Sequence, residues 1–156
     1  MSEAHKNKFD KIRREHAEVE ALLTFAAQKG KNVNAGDMTS VTGFPAYDAA
    51  TIQTAANAND AYALLMVATA EGFMRGYLDS IGIDYGPEPK LNTLIDRCRK
   101  EFNKTNPRIK IRVMDAEKVH DLRRHRNSYS HGYGMRVFPT VPSVFMTLGR
   151  FFANIP

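Results

Sequence analysis

The residues of this chain that could carry out chemistry are concentrated in one short segment, residues 123–133. The segment reads Arg-Arg-His-Arg-Asn-Ser-Tyr-Ser-His-Gly-Tyr, and within it Arg126 and Asn127 precede His131. Histidine titrates near neutral pH and suits proton transfer, whereas the planar guanidinium of arginine suits two phosphate oxygens at once. Cleavage of RNA without a metal needs a base for the 2′-hydroxyl, an acid for the leaving 5′-oxygen and a cation for the phosphate. The segment contains residue types that fit each of these roles.

Helix geometry limits how these residues can meet. Five residues along an ideal α-helix correspond to a rotation of about 140°, so Arg126 and His131 do not share a face unless the helix ends first. Gly132 and Gly134 predict such an ending. Asn127 and His131 are four residues apart and share a face, so Asn127 is predicted to orient the imidazole or to bind phosphate itself.

The positive charge of the chain lies around the same segment. The net charge is +5, from 22 basic and 17 acidic residues. Residues 96–136 hold 12 basic and 5 acidic residues, whereas residues 1–95 hold 9 and 12. Because phosphates attract Lys and Arg whatever the base sequence, this distribution predicts a face that binds a polyanion. A solvated helix surface is the alternative interpretation.

The hydrophobic pattern is helical almost throughout the chain. Apolar residues recur at steps of three and four, which predicts amphipathic helices over residues 8–28, 46–80, 90–104, 115–130 and 142–153. The second half of the second helix is apolar around most of its circumference, so this helix is predicted to be central. The prediction is an all-α bundle of four or five helices in one domain, residues 1–156. Its core is predicted at about 46–153, with residues 1–45 predicted as an N-terminal helix and a long polar loop.

Several boundaries follow from turn and cap residues. Residues 31–45 are predicted to form the polar loop, and an interruption of the second helix is expected near residues 57–60. Residues 109–113 alternate like a strand but have no strand to pair with, so they are predicted to be an extended connector. Asp115 is predicted as the N-cap of the fourth helix. The apolar face of the first helix is predicted to consist of Phe9, Ile12, His16, Val19, Leu22, Leu23 and Ala26.

The spacing of Arg126, Asn127 and His131 resembles the motif of the HEPN superfamily. These are all-α domains whose RNase members carry an Arg, often followed by Asn or another polar residue, and then a His separated from the Arg by four to six residues. This chain matches the motif at its shortest spacing. The resemblance covers residues 126–133 in sequence detail and about 60–153 in helix order, and it does not account for the N-terminal helix and loop.

The resemblance implies a metal-independent endoribonuclease with Arg126, His131 and Asn127 as catalytic residues. One motif supplies only one His, and HEPN RNases are generally two-fold dimers that place two motifs side by side, so a homodimer with a composite cleft is implied. RNA is the implied partner and no cofactor is expected. A toxin–antitoxin or phage-defence setting is implied by the resemblance alone.

The pattern Arg126-x4-His131-x-Tyr133 is also similar to that of HEPN toxins paired with minimal nucleotidyltransferase antitoxins. In those toxins the Tyr is the modified residue. The similarity implies a nucleotidyltransferase antitoxin, or another defence-system protein, as a partner. A nucleotide on Tyr133 would add bulk and negative charge close to His131 and would compete for Arg126.

Residues outside the motif complete the candidate site. Glu71 lies in an apolar stripe, so its carboxylate is predicted to be partly buried and to need a partner. That partner is either Arg75, one helical turn away, or Arg126 across the bundle, which would fix the guanidinium for catalysis. The predicted supporting residues are Glu71, Ser130 and Tyr133, and the predicted RNA-binding residues are Arg123, Arg124, His125 and Tyr129. The tyrosines would stack on unpaired bases or else pack within the fold.

Other interpretations of the same residues stay open. The basic run 123–126 could be a solvated face, with His131 placed at a helix C-terminus where a cation is favoured. The chain would then be a non-catalytic HEPN-like module that binds RNA, a nucleotide or a protein, or a helical subunit of a larger assembly.

Some classes of protein and site are disfavoured by composition. The single cysteine, Cys98, cannot form an internal disulfide, and no apolar run is long enough for a secretion signal or a membrane span, so a cytoplasmic location is predicted. The dipeptide His120-Asp121 is similar to one in metal phosphohydrolases, but too few further ligands lie nearby, so no metal site is predicted.

Overall fold

The computed structural model describes residues 3–31, 44–130 and 138–156, with side chains described for 3–25, 54–128 and 138–156. These residues form helices and connecting segments and contain no strand, which confirms the predicted all-α fold. The helices are α1 (Glu3–Lys31), α2 (Phe44–Ser80), α3 (Leu91–Thr105), α4 (Val113–Ser130) and α5 (Val141–Phe152). Most of the predicted polar loop lies outside the described residues.

Helix α2 is the central element of the bundle. It contacts each of the other four described helices. Ala63, Met66, Ala70 and Met74 are buried along it at steps of three and four residues, as expected for a helix that packs a broad apolar face. The prediction that the second helix is central is therefore confirmed.

Helix α1 packs into the same core. Phe9 is 1% exposed, and its ring makes an edge contact with Phe73 of α2 and lies 6.1 Å from that of Phe152 in α5. The predicted inward orientation of Leu22 is wrong, because Leu22 is 67% exposed. It lies one residue, about 100° of rotation, away from the half-buried Leu23 that continues the face.

The expected interruption of α2 near residues 57–60 is wrong, because the helix is continuous there. The polar residue Asn59 is accommodated within the helix because its side chain forms hydrogen bonds with the start of α5. Its Oδ1 accepts a hydrogen bond of 3.0 Å from the backbone amide of Val141, the first residue of α5, and its Nδ2 lies 3.5 Å from the carbonyl oxygen of Pro139. The N-cap residue Thr140 makes no side-chain capping bond, so Asn59 satisfies an amide that the start of α5 leaves unpaired.

The connection from α3 to α4 is held against the end of α3 by side-chain hydrogen bonds. It contains no strand, as predicted, and the side chain of Asn103 holds it by accepting from the amide of Ile111 at 2.7 Å and donating to its carbonyl oxygen at 3.0 Å. Asp115 is not the N-cap, because its amide and that of Ala116 already donate to the carbonyl oxygen of Arg112. The Asp115 carboxylate instead accepts from Nε of Arg112 at 2.9 Å in the first turn.

Candidate nucleic-acid site

Glu71 bridges two arginines from different helices. Its Oε1 accepts from Nη2 of Arg75 at 2.7 Å, and its Oε2 accepts from Nη1 of Arg126 at 3.0 Å. The Glu71 side chain is only 17% exposed. The two partners predicted as alternatives are therefore both present, one on each carboxylate oxygen. The hydrogen bond to Glu71 raises the pKa of Arg75 above its ordinary value, so Arg75 stays charged.

The basic residues at positions 123–126 of α4 point in different directions and have different neighbours. Arg123, Arg126 and Asn127 fall within about 100° of one another and line one cleft. His125 faces the segment before α5, with its ring centroid 5.8 Å from that of Phe138. Arg124 is exposed and pairs with Asp121 one turn earlier on its own helix. Residues that are adjacent in sequence are thus separated, and the structure does not bring His125 or Arg124 together with Arg126.

The cleft has a volume of about 400 Å³ and lies between α2, the start of α3 and α4. Its lining residues are Glu71, Pro89, Lys90, Leu91, Asn92, Arg123, Arg126 and Asn127. Three of these carry a positive charge and one carries a negative charge, so the walls favour an anion. Sequence reasoning missed Lys90 and Asn92. Neither lies near the motif in sequence, and no local pattern marks the start of α3 as part of the cleft.

A second cleft of about 290 Å³ lies on the opposite side of α4, against α5. His125 lines it, together with Lys118 and Arg150, and Asp121 is its acidic member. The Nδ1 atom of His125 is buried and has no hydrogen-bond partner among the described residues. The apolar side of this part of α4 is formed by Val119 and Leu122, both buried as predicted.

The end of the motif lies outside the described residues. This applies to His131 and Tyr133, and the side chains of Tyr129 and Ser130 are likewise not described although both residues belong to α4. The predicted ending of the helix at Gly132 also falls there.

The histidine of the His120-Asp121 dipeptide makes an ordinary polar contact. Nε2 of His120 lies 3.1 Å from Oδ1 of Asp96, which joins α4 to α3. The described side chains include no group of three or more His, Cys, Asp or Glu that could hold a metal ion. In the same part of the chain, no helix has an apolar stretch long enough to cross a membrane.

Comparison of the chain with protein-family models, with curated proteins and with solved structures finds no match in any of the three. The features of this chain that bear on its function are therefore the motif, the contacts of Glu71 with Arg126 and the charge of the cleft.

Proposed function

We propose that the chain is a metal-independent endoribonuclease of the HEPN type. The observation that carries the proposal is the ion pair between Glu71 and Arg126, which holds a guanidinium at a cationic cleft immediately before the segment that contains His131. A guanidinium held in this way can bind phosphate oxygens without having to order a long side chain during the reaction.

The proposed chemistry is attack of a ribose 2′-hydroxyl on the adjacent phosphorus. One His131 removes the proton from the 2′-hydroxyl, and a second protonates the 5′-oxygen that leaves, so the products are a 2′,3′-cyclic phosphate and a free 5′-hydroxyl. Arg126 stabilises the negative charge that develops on the phosphate, and Asn127 orients the imidazole or binds a phosphate oxygen.

A single chain supplies one such histidine, so the active enzyme is proposed to be a two-fold homodimer with a composite cleft. Sedimentation velocity of the purified protein tests this step. A dimer supports it, and a monomer at the concentrations at which RNA is cleaved contradicts it.

Replacement of His131 by Ala is the direct test of catalysis. The variant should cleave RNA at least about a hundredfold more slowly while still binding it, because general acid–base catalysis contributes rate rather than affinity. Arg126→Ala should also lose activity, whereas Arg97→Ala, which removes an exposed arginine from α3, is the matched control. Treatment with EDTA should leave the parent activity unchanged, and mass spectrometry of the products should find cyclic phosphate ends. Equal cleavage by the parent and by His131→Ala would refute the proposal.

A non-catalytic binding module is the second candidate, because the cations of the cleft lie on described helices and do not depend on His131. RNA binding without cleavage by the parent protein would favour this function. A binding module would give no cyclic phosphate ends and no rate difference between the His131 variant and its parent.

The proposed cellular setting is a cytoplasmic toxin or defence effector, which follows from the resemblance. If a nucleotidyltransferase partner exists, transfer of nucleotide to Tyr133 would add bulk and negative charge two residues from His131 and would compete for Arg126. Co-expression with the neighbouring gene product and measurement of the intact mass tests this. An unmodified Tyr133 in protein that the partner has inactivated would contradict it.

A further inference from the structure

Two cations of the cleft have no role in the chemistry proposed above. Lys90 precedes the first residue of α3, and Arg123 lies one turn before Arg126 and Asn127 on α4. Lys90 reaches the cleft from the start of α3, and Arg123 reaches it from α4. The hydrophobic pattern of neither helix requires a cation at that position.

Among the described side chains, Arg123 has no partner that neutralises its charge. No ion pair to it is found among the described side chains, and its buried Nε has no hydrogen-bond partner there. This contrasts with Arg124, which is paired with Asp121, and with Arg126, which is paired with Glu71. A buried guanidinium nitrogen without a partner is costly, so an anion in the cleft that drew the group into a hydrogen bond would be bound favourably.

Lys90 is exposed and adds a second charge at the mouth of the cleft. It is the N-cap residue of α3, and no ion pair or hydrogen bond to its ammonium group is found among the described side chains. The first turn of α3, Leu91 and Asn92, also lines the cleft, and the partial positive charge of a helix N-terminus has the same sign as the two side chains. Among the described residues that line the cleft, the one carboxylate, Glu71, is already shared between two arginines.

We propose that Lys90 and Arg123 form a second phosphate subsite, which binds a phosphate of single-stranded RNA next to the phosphate held by Arg126. The proposal rests on the endoribonuclease function in naming RNA as the ligand. The size of the cleft, about 400 Å³, is that of a small-ligand pocket and suits one nucleotide of a strand rather than a duplex. Lys90 and Arg123 are thus positioning residues, which set the register of the strand and do not touch the reacting atoms.

The test is binding of a fluorescent single-stranded RNA to protein that carries His131→Ala, so that cleavage does not interfere. Lys90→Gln and Arg123→Gln should each raise Kd about fivefold, the change that corresponds to loss of one partly exposed ion pair. The slope of log Kd against log salt should also fall by about 0.7 for each phosphate of the single strand that the protein no longer neutralises. Lys100→Gln, at an exposed position further along α3, is the matched control and should change neither quantity. Urea denaturation identifies any loss of fold in the Arg123 variant. Because Lys90 is exposed, Lys90→Gln should leave the fold intact and tests the subsite independently.

Unchanged affinity and salt slope in both cleft variants would overturn the subsite. If adenosine monophosphate displaces the RNA and binds with the same Kd as the RNA, the ligand of the subsite is a free nucleotide and the assignment to an RNA strand is overturned. The test of the subsite and the test of the endoribonuclease can succeed or fail independently of each other. Cleavage that persists in His131→Ala refutes the endoribonuclease even if the subsite binds RNA, and cleavage that depends on His131 supports it even if the subsite does not.

Discussion

The carboxylate of Glu71 in α2 accepts a hydrogen bond of 3.0 Å from the guanidinium of Arg126 in α4, across 55 residues of sequence. The same carboxylate binds Arg75 on its own helix at 2.7 Å. Glu71 therefore connects the central helix of the bundle to the helix that carries the candidate motif, and it does so within the wall of a cleft that is otherwise cationic.

Replacement of Glu71 by Gln should destabilise the protein, and it should also slow the RNA cleavage that we propose. The amide retains the shape but loses the charge between two guanidiniums, and because both arginines are partly exposed the expected loss of unfolding free energy is about 1 kcal/mol. Urea denaturation measures that loss, with Glu117→Gln at an exposed position of α4 as the control. A double-mutant cycle with Arg126→Met should give a coupling energy of about 0.5 to 1 kcal/mol. Additive effects of the two changes would show that the ion pair contributes nothing.

Replacement of Asn59 by Ala should cost about 1 kcal/mol of stability, because the amide of Val141 loses its capping acceptor. Asn59→Asp keeps an oxygen at that position and should recover most of the loss. Asn154→Ala, at an exposed position after α5, is the matched control. Thermal unfolding of the four proteins tests this, and equal midpoints for the parent and Asn59→Ala would contradict it.

Cys98 should be unreactive in the folded protein. Burial raises the pKa of its thiol to about 12, and its Sγ faces the carbonyl oxygen of Met74 at 3.5 Å. The thiolate that reacts with alkylating reagents is therefore almost absent at neutral pH. Titration with a disulfide reagent should find no accessible thiol in buffer and one per chain in urea. Rapid stoichiometric reaction in buffer would show that α3 is not packed against α2 as described.

Stability should fall as the pH drops below 6.5, with His5 as one cause. Its ring stacks on Phe73 at 3.7 Å, and burial, followed by the positive charges of the N-terminus and Lys8, lowers the pKa of His5 from the ordinary value of 6.5. The unfolded chain then binds a proton more readily than the folded one, so this contribution is fully present above pH 6.5 and is lost as the pH falls through the folded pKa. His5→Gln should flatten the dependence of urea midpoint on pH below 6.5. An equally steep dependence in the variant would assign the effect to other groups.

The sequence predicted the elements of the fold well because apolar residues recur at steps of three and four, most strongly in α3 and α5, and because turn residues separate the helices. Two of the errors arose where a polar side chain has a partner that the pattern of its own helix does not reveal. Asn59 resembled a break in α2 because the amide it satisfies belongs to α5, and Asp115 resembled a cap because its real partner, Arg112, is a side chain just outside the helix.

The candidate site was predictable only in part, for a related reason. The partial burial of Glu71 followed from its apolar neighbours, and the structure places both of its predicted partners against it. The contribution of Lys90 did not follow, because it depends on how α3 packs beside α4. Periodicity within one helix does not determine the packing of two helices.

The two hydrogen bonds between the side chain of Asn103 and the backbone of Ile111 have a consequence for the evolution of this protein. They hold the backbone of Ile111 at both its amide and its carbonyl group, two residues before α4 begins, so the number of residues between Ile111 and α4 affects the rotational register of α4. One residue gained or removed in the short stretch between Ile111 and the first turns of α4 would turn the rest of the helix by about 100° and present a neighbour of Arg126 to Glu71 in its place. Descendants of this chain should therefore tolerate exchange of the residues in the stretch far better than any change in its length.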